Sequence, residues 1–426
     1  MTYAAAIQFL YGLRLFGAKF GLENTRKLAA LAGHPQEKLR FLHVAGTNGK
    51  GSTCAMLESI YRASGLRVGL FTSPHLVSFR ERIQVNRQLI SEKEVVRLVT
   101  ETQPRLKQFP ADHHPTFFEV ITVMALQFFA EQKCELVIWE TGLGGRLDAT
   151  NIVTPLASII TNIAFDHEQW LGDTLAKIAA EKAGIIKPGV PVITATDAPE
   201  AMAVIEKSAH ENGAALTRVF SPHAPRLAPC ASLLGAHQKI NAALALATVE
   251  ILQPQIPVAA EDLRAGLAGV DWPGRLQLIE APGGRKILLD GAHNVAGAEA
   301  LRATLEKNFA GARPLLIFGA LADKNWPDIC RILAPLAGKC SAVPVASERT
   351  AAALELVTAF RSANPAAEAA AFDNLAAAIN ASNDEPFVVI TGSLYLVGEA
   401  LERLGLSPAD GGERGLNEWV APKIQQ

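Results

Sequence analysis

Eight short runs rich in β-branched and other apolar residues alternate with longer stretches rich in Ala and Leu. Continuous apolar runs between helices are typical of a parallel sheet that is covered on both faces. The sequence therefore predicts an α/β fold with mostly parallel sheets. The predicted strands are RFLHVAG (40–46), LRVGLFT (66–72), ELVIWE (135–140), LASIITNI (156–163), VPVITAT (190–196), RKILLDG (285–291), RPLLIFGA (313–320) and FVVITGS (387–393).

The length and one loop-like segment predict two domains. The 426 residues are too many for one ordinary core. The segment at 272–286 contains Pro-Gly twice, and the strand–helix alternation restarts after it. We predict an N-terminal domain over residues 1–283 and a smaller, Rossmann-like C-terminal α/β domain over 284–426. Within the latter, Ala-rich tracts such as AAEAAAFDNLAAAIN are interpreted as helix formers.

Charge, hydropathy and cysteine content exclude several classes of partner. A net charge of −2 provides no basic field for nucleic acid. The longest apolar run, at 120–130, is too short to span a bilayer and is predicted to be a core helix. The N-terminus lacks the pattern of a signal peptide. The cysteines, which show no metal or disulfide spacing and suit a reducing cytoplasm, are Cys54, Cys134, Cys230, Cys330 and Cys340.

The stretch HVAGTNGKGSTCAM (43–56) joins a predicted strand to a predicted helix through a glycine-rich loop. Lys50 can reach a phosphate group, and Ser52 or Thr53 can face a metal ion. The loop departs from G-x-x-x-x-G-K-[ST], because Val44 replaces the first glycine and Gly51 separates the lysine from the hydroxyl. A structural turn is the alternative. The flanking strand and helix favour a phosphate loop, so the N-terminal domain is predicted to be of the P-loop ATPase type.

The spelling GTNGKGS resembles the nucleotide loop of the folylpolyglutamate synthases, relatives of the muramyl-peptide ligases, in which GTNGKT is usual. Further motifs extend the resemblance, in order, over most of the chain. The arginine-bearing GGRLDATN is similar to the bifunctional bacterial group, which also has dihydrofolate synthase activity. The motifs are TSPHL (72–76), ETGLGGRLDATN (140–151), DHEQWLG (166–172), EKAGI (181–185), HQKINAALAL (237–246), PGRLQ (273–277) and DGAHN (290–294).

The resemblance implies an ATP-dependent amide ligase that adds L-glutamate to dihydropteroate and then to folates. ATP phosphorylates the carboxylate of the acid, and the amine of glutamate attacks the acyl phosphate. Cations must bring the anionic carboxylate to the anionic triphosphate in a site closed to water. The implied cofactors are ATP and Mg²⁺, with a monovalent cation such as K⁺ as a further candidate. A cytoplasmic monomer without a nucleic-acid or membrane partner is expected.

For ATP and the metal, the resemblance implies one set of residues each. Glu140 ends an apolar strand, where a buried carboxylate needs a partner such as Mg²⁺. Asp166 competes with His167 as a ligand, and we predict an orienting role for it. Asp290 could equally form a turn. The metal residues are Ser73, Glu140 and His167, and the ATP residues are Thr47, Asn48, Gly49, Lys50, Gly51, Ser52, Asn241, Arg275 and Asp290.

Lys182, in EKAGIIKPG, has two interpretations. It could be a solvated lysine on a helix. The resemblance implies instead N6-carboxylation to a carbamate that helps organise Mg²⁺, which requires a neutral amine and hence a lowered pKa. The catalytic residues implied are Lys50, His167 and Lys182.

For the acid and for glutamate, the resemblance implies TFFE (116–119), LDA (147–149) and two turns of the C-terminal domain. Aromatic rings can pack against the bicyclic pterin, and a carboxylate can pair with its amino-pyrimidine edge. The alternatives are helix core for the two phenylalanines and a helix N-cap for Ser393. The residues are Thr116, Phe117, Phe118, Glu119, Leu147, Asp148, Ala149, His293 and Ser393.

Three other functions are weighed against this prediction. A folylpolyglutamate synthase without the first activity is disfavoured by GGRLDATN together with TFFE. A muramyl-peptide ligase is disfavoured by the GKGS loop and by the short segment, about forty residues, that precedes it. A nucleotide-binding switch would need no acceptor site for an acyl group, so Glu140, His167 and Lys182 argue against it.

Overall fold

The computed structural model describes residues 1–16, 21–219, 234–407 and 413–417. Within these residues the chain forms two sheets, each flanked by helices, which confirms the predicted α/β class. Four cysteines are buried free thiols, and the fifth, Cys230, lies outside the described residues. Among the described helices, none is both long and apolar enough to cross a bilayer.

The first sheet has eight strands in the order β4-β3-β2-β5-β1-β6-β7-β8. The central strands are parallel and fully buried, as their continuous apolar sequences predict. β3 and β4 add an antiparallel edge. The strands are β1 (Phe41–Ala45), β2 (Val68–Phe71), β3 (Ile83–Val85), β4 (Gln88–Leu89), β5 (Leu136–Glu140), β6 (Ala157–Ile160), β7 (Val192–Thr194) and β8 (Leu216–Arg218).

Helices cover both faces of this sheet. The apolar run at 120–130 lies in α5, whose side chains are mostly buried, so its prediction as a core helix is confirmed. The helices are α1 (Tyr3–Gly12), α2 (Glu23–Leu31), α3 (Lys50–Ala63), α4 (Glu92–Leu106), α5 (Phe117–Glu131), α6 (Glu168–Leu171), α7 (Leu175–Ala183), α8 (Pro199–Glu211), α9 (Ala236–Leu252) and α10 (Ala260–Ala268).

The second sheet has six strands in the order β13-β12-β11-β14-β10-β9. Its strands are β9 (Gln277–Glu280), β10 (Lys286–Leu289), β11 (Leu315–Phe318), β12 (Lys339–Ala342), β13 (Glu368–Ala371) and β14 (Phe387–Thr391). Its helices are α11 (Val295–Asn308), α12 (Trp326–Leu333), α13 (Ala353–Ala363), α14 (Leu375–Ala381) and α15 (Leu394–Arg403).

Two features of the second sheet differ from the sequence prediction. β9 pairs antiparallel with β10, so a strand from the N-terminal side of the predicted 283/284 boundary belongs to the C-terminal sheet. β13 lies within the Ala-rich tract interpreted as helical, and it pairs with β12 at the edge of the sheet. Pairing with a neighbouring strand overrides the helix propensity of its alanines, because propensity is only a weak local bias.

The register of the first sheet positions the functional residues. Val44 on β1 is level with Glu140 on β5, and Ala45 is level with Ile160 on β6. The loops that follow these three parallel strands therefore emerge at one edge of the sheet. Carboxyl edges of this kind are where α/β proteins bind ligands.

Candidate active site

One cleft of about 700 Å³ opens at this edge and is lined by residues of both domains. The structure brings every predicted site residue to it. They are Thr47, Asn48, Gly49, Lys50, Gly51, Ser52, Ser73, Thr116, Phe117, Phe118, Glu119, Glu140, Leu147, Asp148, Ala149, His167, Lys182, Asn241, Arg275, Asp290, His293 and Ser393.

The glycine-rich loop needs glycine at two positions. Gly46 has φ +147°, and a Cβ there would lie 1.8 Å from Thr161 Oγ1. Gly49 has φ +87°, and its Cβ would lie 2.4 Å from Asn241 Oδ1. Helix α3 begins at Lys50 without a side-chain cap, so its first backbone amides are available to an anion in the cleft.

The loop is held by the segment that follows β6. The Thr47 amide donates to Asn162 O at 2.9 Å, and the Asn48 amide donates to Asn162 Oδ1 at 2.8 Å. Thr161 Oγ1 donates to Asn48 O at 2.7 Å. These contacts fix the loop in the absence of the usual first glycine. Asn162 was not among the predicted site residues, because the predicted strand 156–163 included it, whereas the observed strand ends at Ile160.

Two lysines share one carbonyl in this loop. Lys50 Nζ donates to Gly46 O at 3.1 Å and to Thr47 O at 3.3 Å. Lys182 Nζ donates to the same Gly46 O at 2.8 Å. Lys182 is buried, which excludes the solvated alternative. Burial, reinforced by the charge of Lys50, lowers the pKa of Lys182 to about 7, so a large fraction of this amine is neutral at physiological pH.

Hydroxyl and amide side chains of α3 and α9 line the cleft next to the glycine-rich loop. Ser52 lines the cleft, whereas Thr53 is fully buried and does not. Ser52 Oγ accepts a hydrogen bond from Gln238 Nε2 at 3.3 Å, and Asn241 Nδ2 donates to Gln238 Oε1 at 2.9 Å. The first turn of α9 therefore packs against the first turn of α3 on the cleft wall.

Glu140 is a buried carboxylate at the end of β5. It is 3% exposed, and its Oε2 accepts a hydrogen bond from the Ser73 amide at 3.0 Å. Burial raises the pKa of Glu140, although Lys50 and Arg275 oppose this shift. Within the described residues no cation forms a salt bridge with it. A cleft-lining carboxylate beside a serine hydroxyl fits a hard divalent cation that would also take phosphate oxygens.

Asp166 has the opposite environment. Its Oδ1 lies 2.6 Å from Lys324 Nζ and 2.9 Å from the His167 amide, and its Oδ2 lies 3.5 Å from His293 Nε2. Burial raises the pKa of Asp166, but His293, His167 and Lys324 together outweigh burial and hold that pKa well below its usual range. The carboxylate is therefore ionised and already neutralised by the protein.

His167 lies with this cluster. Burial lowers its pKa to about 3, so the ring is neutral at pH 7. Its Nε2 lies 3.5 Å from Lys324 Nζ. Ser73 and Glu140 are in direct contact, whereas His167 contacts Asp166 and Lys324. In the described ranges, no group of three or more His, Cys, Asp or Glu side chains could hold a metal ion.

The two domains are joined across the cleft by amides. Asn294 Nδ2 donates to Asn48 Oδ1 at 3.0 Å and to Asp166 Oδ2 at 3.1 Å, and Asn48 Nδ2 donates to Asn294 Oδ1 at 3.2 Å. Lys324 of the C-terminal domain also contacts the N-terminal domain, because its Nζ donates to Asp166 Oδ1. Asn294 and Lys324 were not among the predicted site residues. Asn294 ends the motif DGAHN, which was a usable signal, whereas Lys324 is one polar residue in a loop after a strand.

Asp290 and Ser393, two predicted residues on the C-terminal side of the cleft, accept hydrogen bonds from backbone amides. Asp290 accepts hydrogen bonds from the Leu276 amide at 2.9 Å and the Ala292 amide at 3.0 Å, which favours the turn alternative. Ser393 is the N-cap of α15, where its Oγ accepts from the Tyr395 amide at 3.2 Å. Burial raises the pKa of Asp290, and the charge of the buried Arg275 opposes this shift.

In the motif TFFE, the first and last residues cap a helix, and the two phenylalanines form an aromatic wall of the cleft. Thr116 caps α5, and Glu119 Oε2 accepts from the Thr116 amide at 2.8 Å, which makes a capping box. Phe117 and Phe118 both line the cleft. A Cβ on Gly142 would lie 2.5 Å from the ring of Phe118, so glycine is needed at 142 for the ring to lie against that loop.

Asp148 holds the loop after β5. Its Oδ2 accepts from the Gly142 amide at 3.0 Å and the Leu143 amide at 2.8 Å. Its Oδ1 accepts from the Thr150 amide at 3.0 Å and from the Thr150 hydroxyl. Four accepted hydrogen bonds occupy the capacity of one carboxylate. This arrangement favours a loop-holding role over the predicted pairing with a pterin ring.

Comparison with known protein families identifies two domains in the chain. Residues 44–249 match the Mur ligase middle domain. Residues 274–394 match the Mur ligase glutamate ligase domain. The second match begins before β9, in agreement with the pairing of that strand in the C-terminal sheet.

Curated relatives match the chain over nearly its whole length. The dihydrofolate synthase/folylpolyglutamate synthase of Bacillus subtilis (strain 168) is 38% identical, with 95% of this chain and 99% of that protein covered. The dihydrofolate synthase/folylpolyglutamate synthase of Escherichia coli (strain K12) is 32% identical, with 94% of each chain covered.

Solved structures match the fold over nearly the whole chain. E. coli FolC in complex with DHPP and ADP has a TM-score of 0.83 at 31% identity, over 95% of this chain and 98% of that one. Mycobacterium tuberculosis folylpolyglutamate synthase, complexed with ADP and AMPPCP, has a TM-score of 0.86 at 30% identity, over 96% of this chain and 100% of that one.

Proposed function

Because this chain belongs to the Mur ligase family, among the dihydrofolate synthases/folylpolyglutamate synthases, we propose that it joins L-glutamate first to dihydropteroate and then to folates. It is an ATP-dependent ligase. The observation that carries the proposal is that one cleft contains the phosphate loop, the buried Glu140 and an aromatic wall. ATP, its metal ion and the pterin acid therefore each have a chemically suitable part of the same cleft.

The phosphate loop binds the triphosphate of ATP. The open amides at the start of α3 and the ammonium group of Lys50 face anions in the cleft. Lys50 exchanges its two backbone carbonyls, Gly46 O and Thr47 O, for phosphate oxygens when the nucleotide binds. These carbonyls hold the lysine in the loop until then, so little side-chain entropy is lost on binding.

Glu140 and Ser73 would hold Mg²⁺ together with phosphate oxygens, and the ion would neutralise charge between the triphosphate and the carboxylate of the acid. His167 is included in the proposed set because its ring is neutral at pH 7. Asp166 orients His167 through the backbone amide rather than competing with it for the metal.

The reaction needs no protein nucleophile. A carboxylate oxygen of the acid attacks the γ-phosphorus, and ADP leaves. The glutamate nitrogen then attacks the acyl carbon, inorganic phosphate leaves, and the nitrogen loses a proton. The enzyme contributes orientation, cations and exclusion of water. His293, beside Asp166 on the C-terminal side of the cleft, is proposed to contact the incoming glutamate, and Phe117 and Phe118 the pterin acid.

We also propose N6-carboxylation of Lys182. The modification requires a neutral amine, and a pKa of about 7 supports this requirement. A carbamate would replace a positive charge beside Lys50 with a negative one and so remove the repulsion between the two lysines. A monovalent cation such as K⁺, a monomeric state and a cytoplasmic location stay predictions from the sequence.

The proposal is tested by ADP release from the purified protein. ADP should form only when dihydropteroate or a folate and L-glutamate are both present. Lys50→Ala should lower the rate about 100-fold or more, because it removes a charge that acts on the reacting phosphate. Lys239→Ala, at an exposed lysine of α9 outside the cleft, is the matched control. Activity with folates but none with dihydropteroate would leave only the polyglutamylating function.

A further inference from the structure

Arg82 is a buried cation in the wall of the cleft that neither the sequence motifs nor the proposed mechanism uses. It ends the short 3-10 helix Phe79–Arg82, is 3% exposed and lines the cleft. Its Nε donates to His75 Nδ1 at 2.8 Å, and its Nη2 donates to Asn417 Oδ1. Two neutral partners therefore fix the plane of the guanidinium and leave several of its five N–H groups for another acceptor.

Arg82 forms no salt bridge within the described residues, although the charges of Glu81 and Glu140 act on it. By contrast, Arg80, two residues earlier, lies 3.8 Å from Glu92. Burial lowers the pKa of Arg82 to about 10, so the group remains charged at neutral pH. A buried cation without a salt bridge is costly, and proteins keep such groups where a ligand supplies the opposite charge.

The position of Arg82 indicates which part of a ligand it meets. Its Cζ lies 5.5 Å from the centroid of the Phe117 ring, which is part of the aromatic wall. The charge of Glu140, at the phosphate end of the cleft, also acts on it. Arg82 therefore lies between the region for a flat ring and the region where a carboxylate receives phosphate.

We infer that Arg82 binds the non-reacting α-carboxylate of a glutamylated substrate, a specificity role that rests on the function proposed above. Dihydropteroate has a single carboxylate, and that group must lie at the γ-phosphate to react. A folate carries a second carboxylate on its glutamate, which does not react but is brought into the same cleft. A preorganised guanidinium offers that group a two-point contact.

The segment Glu413–Asn417 positions Arg82. Glu413 Oε2 accepts from the Phe79 amide at 2.6 Å and from Ser78 Oγ at 3.0 Å, which ties the segment to the start of the 3-10 helix. Asn417 Nδ2 donates to His75 O at 2.9 Å, while its Oδ1 accepts from Arg82. A segment near the C-terminus thus returns to the N-terminal domain and sets the direction of the guanidinium.

Two variants test the inference with the full-length protein. Arg82→Met removes the charge. Asn417→Asp keeps the shape of the side chain but places a carboxylate beside Arg82, where it competes with the substrate. Each should lower kcat/KM for a monoglutamylated tetrahydrofolate about tenfold to 100-fold, mainly through KM, and change kcat/KM for dihydropteroate less than about threefold. Arg80→Met, on the same 3-10 helix, is the control for loss of positive charge and should change neither value.

The outcomes separate this inference from the function itself. Wild-type protein that uses neither acid would refute the proposed function, without reference to Arg82. Equal losses for the two acids would mean that Arg82 acts on the shared reacting carboxylate, and unchanged values for both would mean that it is structural. Either result overturns the inference. If Arg82→Met does not fold, Asn417→Asp alone decides, since it retains the arginine and its size.

Discussion

Two buried carboxylates on the cleft wall, Glu140 and Asp166, have opposite electrostatic surroundings. Asp166 is surrounded by Lys324, His293 and the His167 amide, and its pKa is held well below the usual range. Glu140 accepts one hydrogen bond, from Ser73, and burial raises its pKa. The protein itself neutralises the first carboxylate, with groups from both domains.

The difference shows how the same chemical group, a carboxylate, serves structure at one end of the cleft and ligand binding at the other. A neutralised carboxylate stabilises the contact between the domains, because its charged partner, Lys324, is already present. A carboxylate without a cation destabilises the empty site and gains its partner only with the ligand. Substitutions at the two positions should therefore affect different properties.

The largest effect is expected on stability at Asp166. Asp166→Asn leaves the ammonium of Lys324 buried without a counter-ion, as both side chains are only 9% exposed. We expect the free energy of unfolding in urea at pH 7 to fall by about 3 kcal/mol. Adding Lys324→Met should restore part of this loss, because the unpaired charge is then removed.

The control for this substitution is an exposed pair. Asp173 and Lys177 lie 2.7 Å apart, but both side chains are mostly exposed. Asp173→Asn should leave the unfolding midpoint nearly unchanged. If Asp166→Asn were no more destabilising than Asp173→Asn, the contrast between the two carboxylates would not hold.

A smaller effect, on metal dependence, is expected at Glu140. Glu140→Gln removes a negative ligand, so the Mg²⁺ concentration for half-maximal ADP release should rise about tenfold or more. Stability should stay equal or increase, because a buried charge without a counter-ion is removed. Glu168→Gln, at an exposed residue next to His167, controls for the loss of one negative charge. An unchanged Mg²⁺ titration of Glu140→Gln would contradict the metal assignment.

The last effect, expected on the slope of stability against pH, is at Lys182, whose pKa the charge of Asp166 also influences. Its folded pKa of about 7 is below the unfolded value of 10.5, so between these pH values the unfolded chain binds more protons. Unfolding free energy should then rise with pH from 7 to 10, by up to about 1 kcal/mol per pH unit.

Lys182→Met should flatten this slope in buffer freed of carbon dioxide, and added bicarbonate should flatten it in the wild type by converting the amine to a carbamate. Identical slopes for wild type and Lys182→Met in carbon-dioxide-free buffer would mean that this amine has an ordinary pKa. A bicarbonate effect that persists in Lys182→Met would place the modification elsewhere.

The sequence was most informative where a function depends on neighbouring residues. The loop GTNGKGS contains its glycines, its lysine and the start of its helix within one short stretch, so a local pattern sufficed. The motif TFFE was equally visible, yet Thr116 and Glu119 form a helix cap, and only the phenylalanines line the cleft in a way that suits a ring. A local pattern identifies the element but not the direction of each side chain.

The sequence was least informative where partners come from distant parts of the chain. Asp166 and Lys324 are 158 residues apart, and Arg82 and Asn417 are 335 apart. Nothing in the spacing of single polar residues predicts which of them will meet. The strand Glu368–Ala371 was missed for a similar reason, since its alanines favour a helix and only the neighbouring strand makes them extended.

By itself, then, the sequence determined the α/β class and the phosphate loop, because hydrophobic periodicity and glycine-rich turns act over a few residues. The set of residues that line one cleft followed from the resemblance of its motifs to a known family. The tertiary structure decided which carboxylate is neutralised, which aspartates hold loops and that the buried Arg82 forms no salt bridge within the described residues. The physical reason is that burial and long-range charge pairs set the free energy of an ionised group, and both arise only when the two domains pack together.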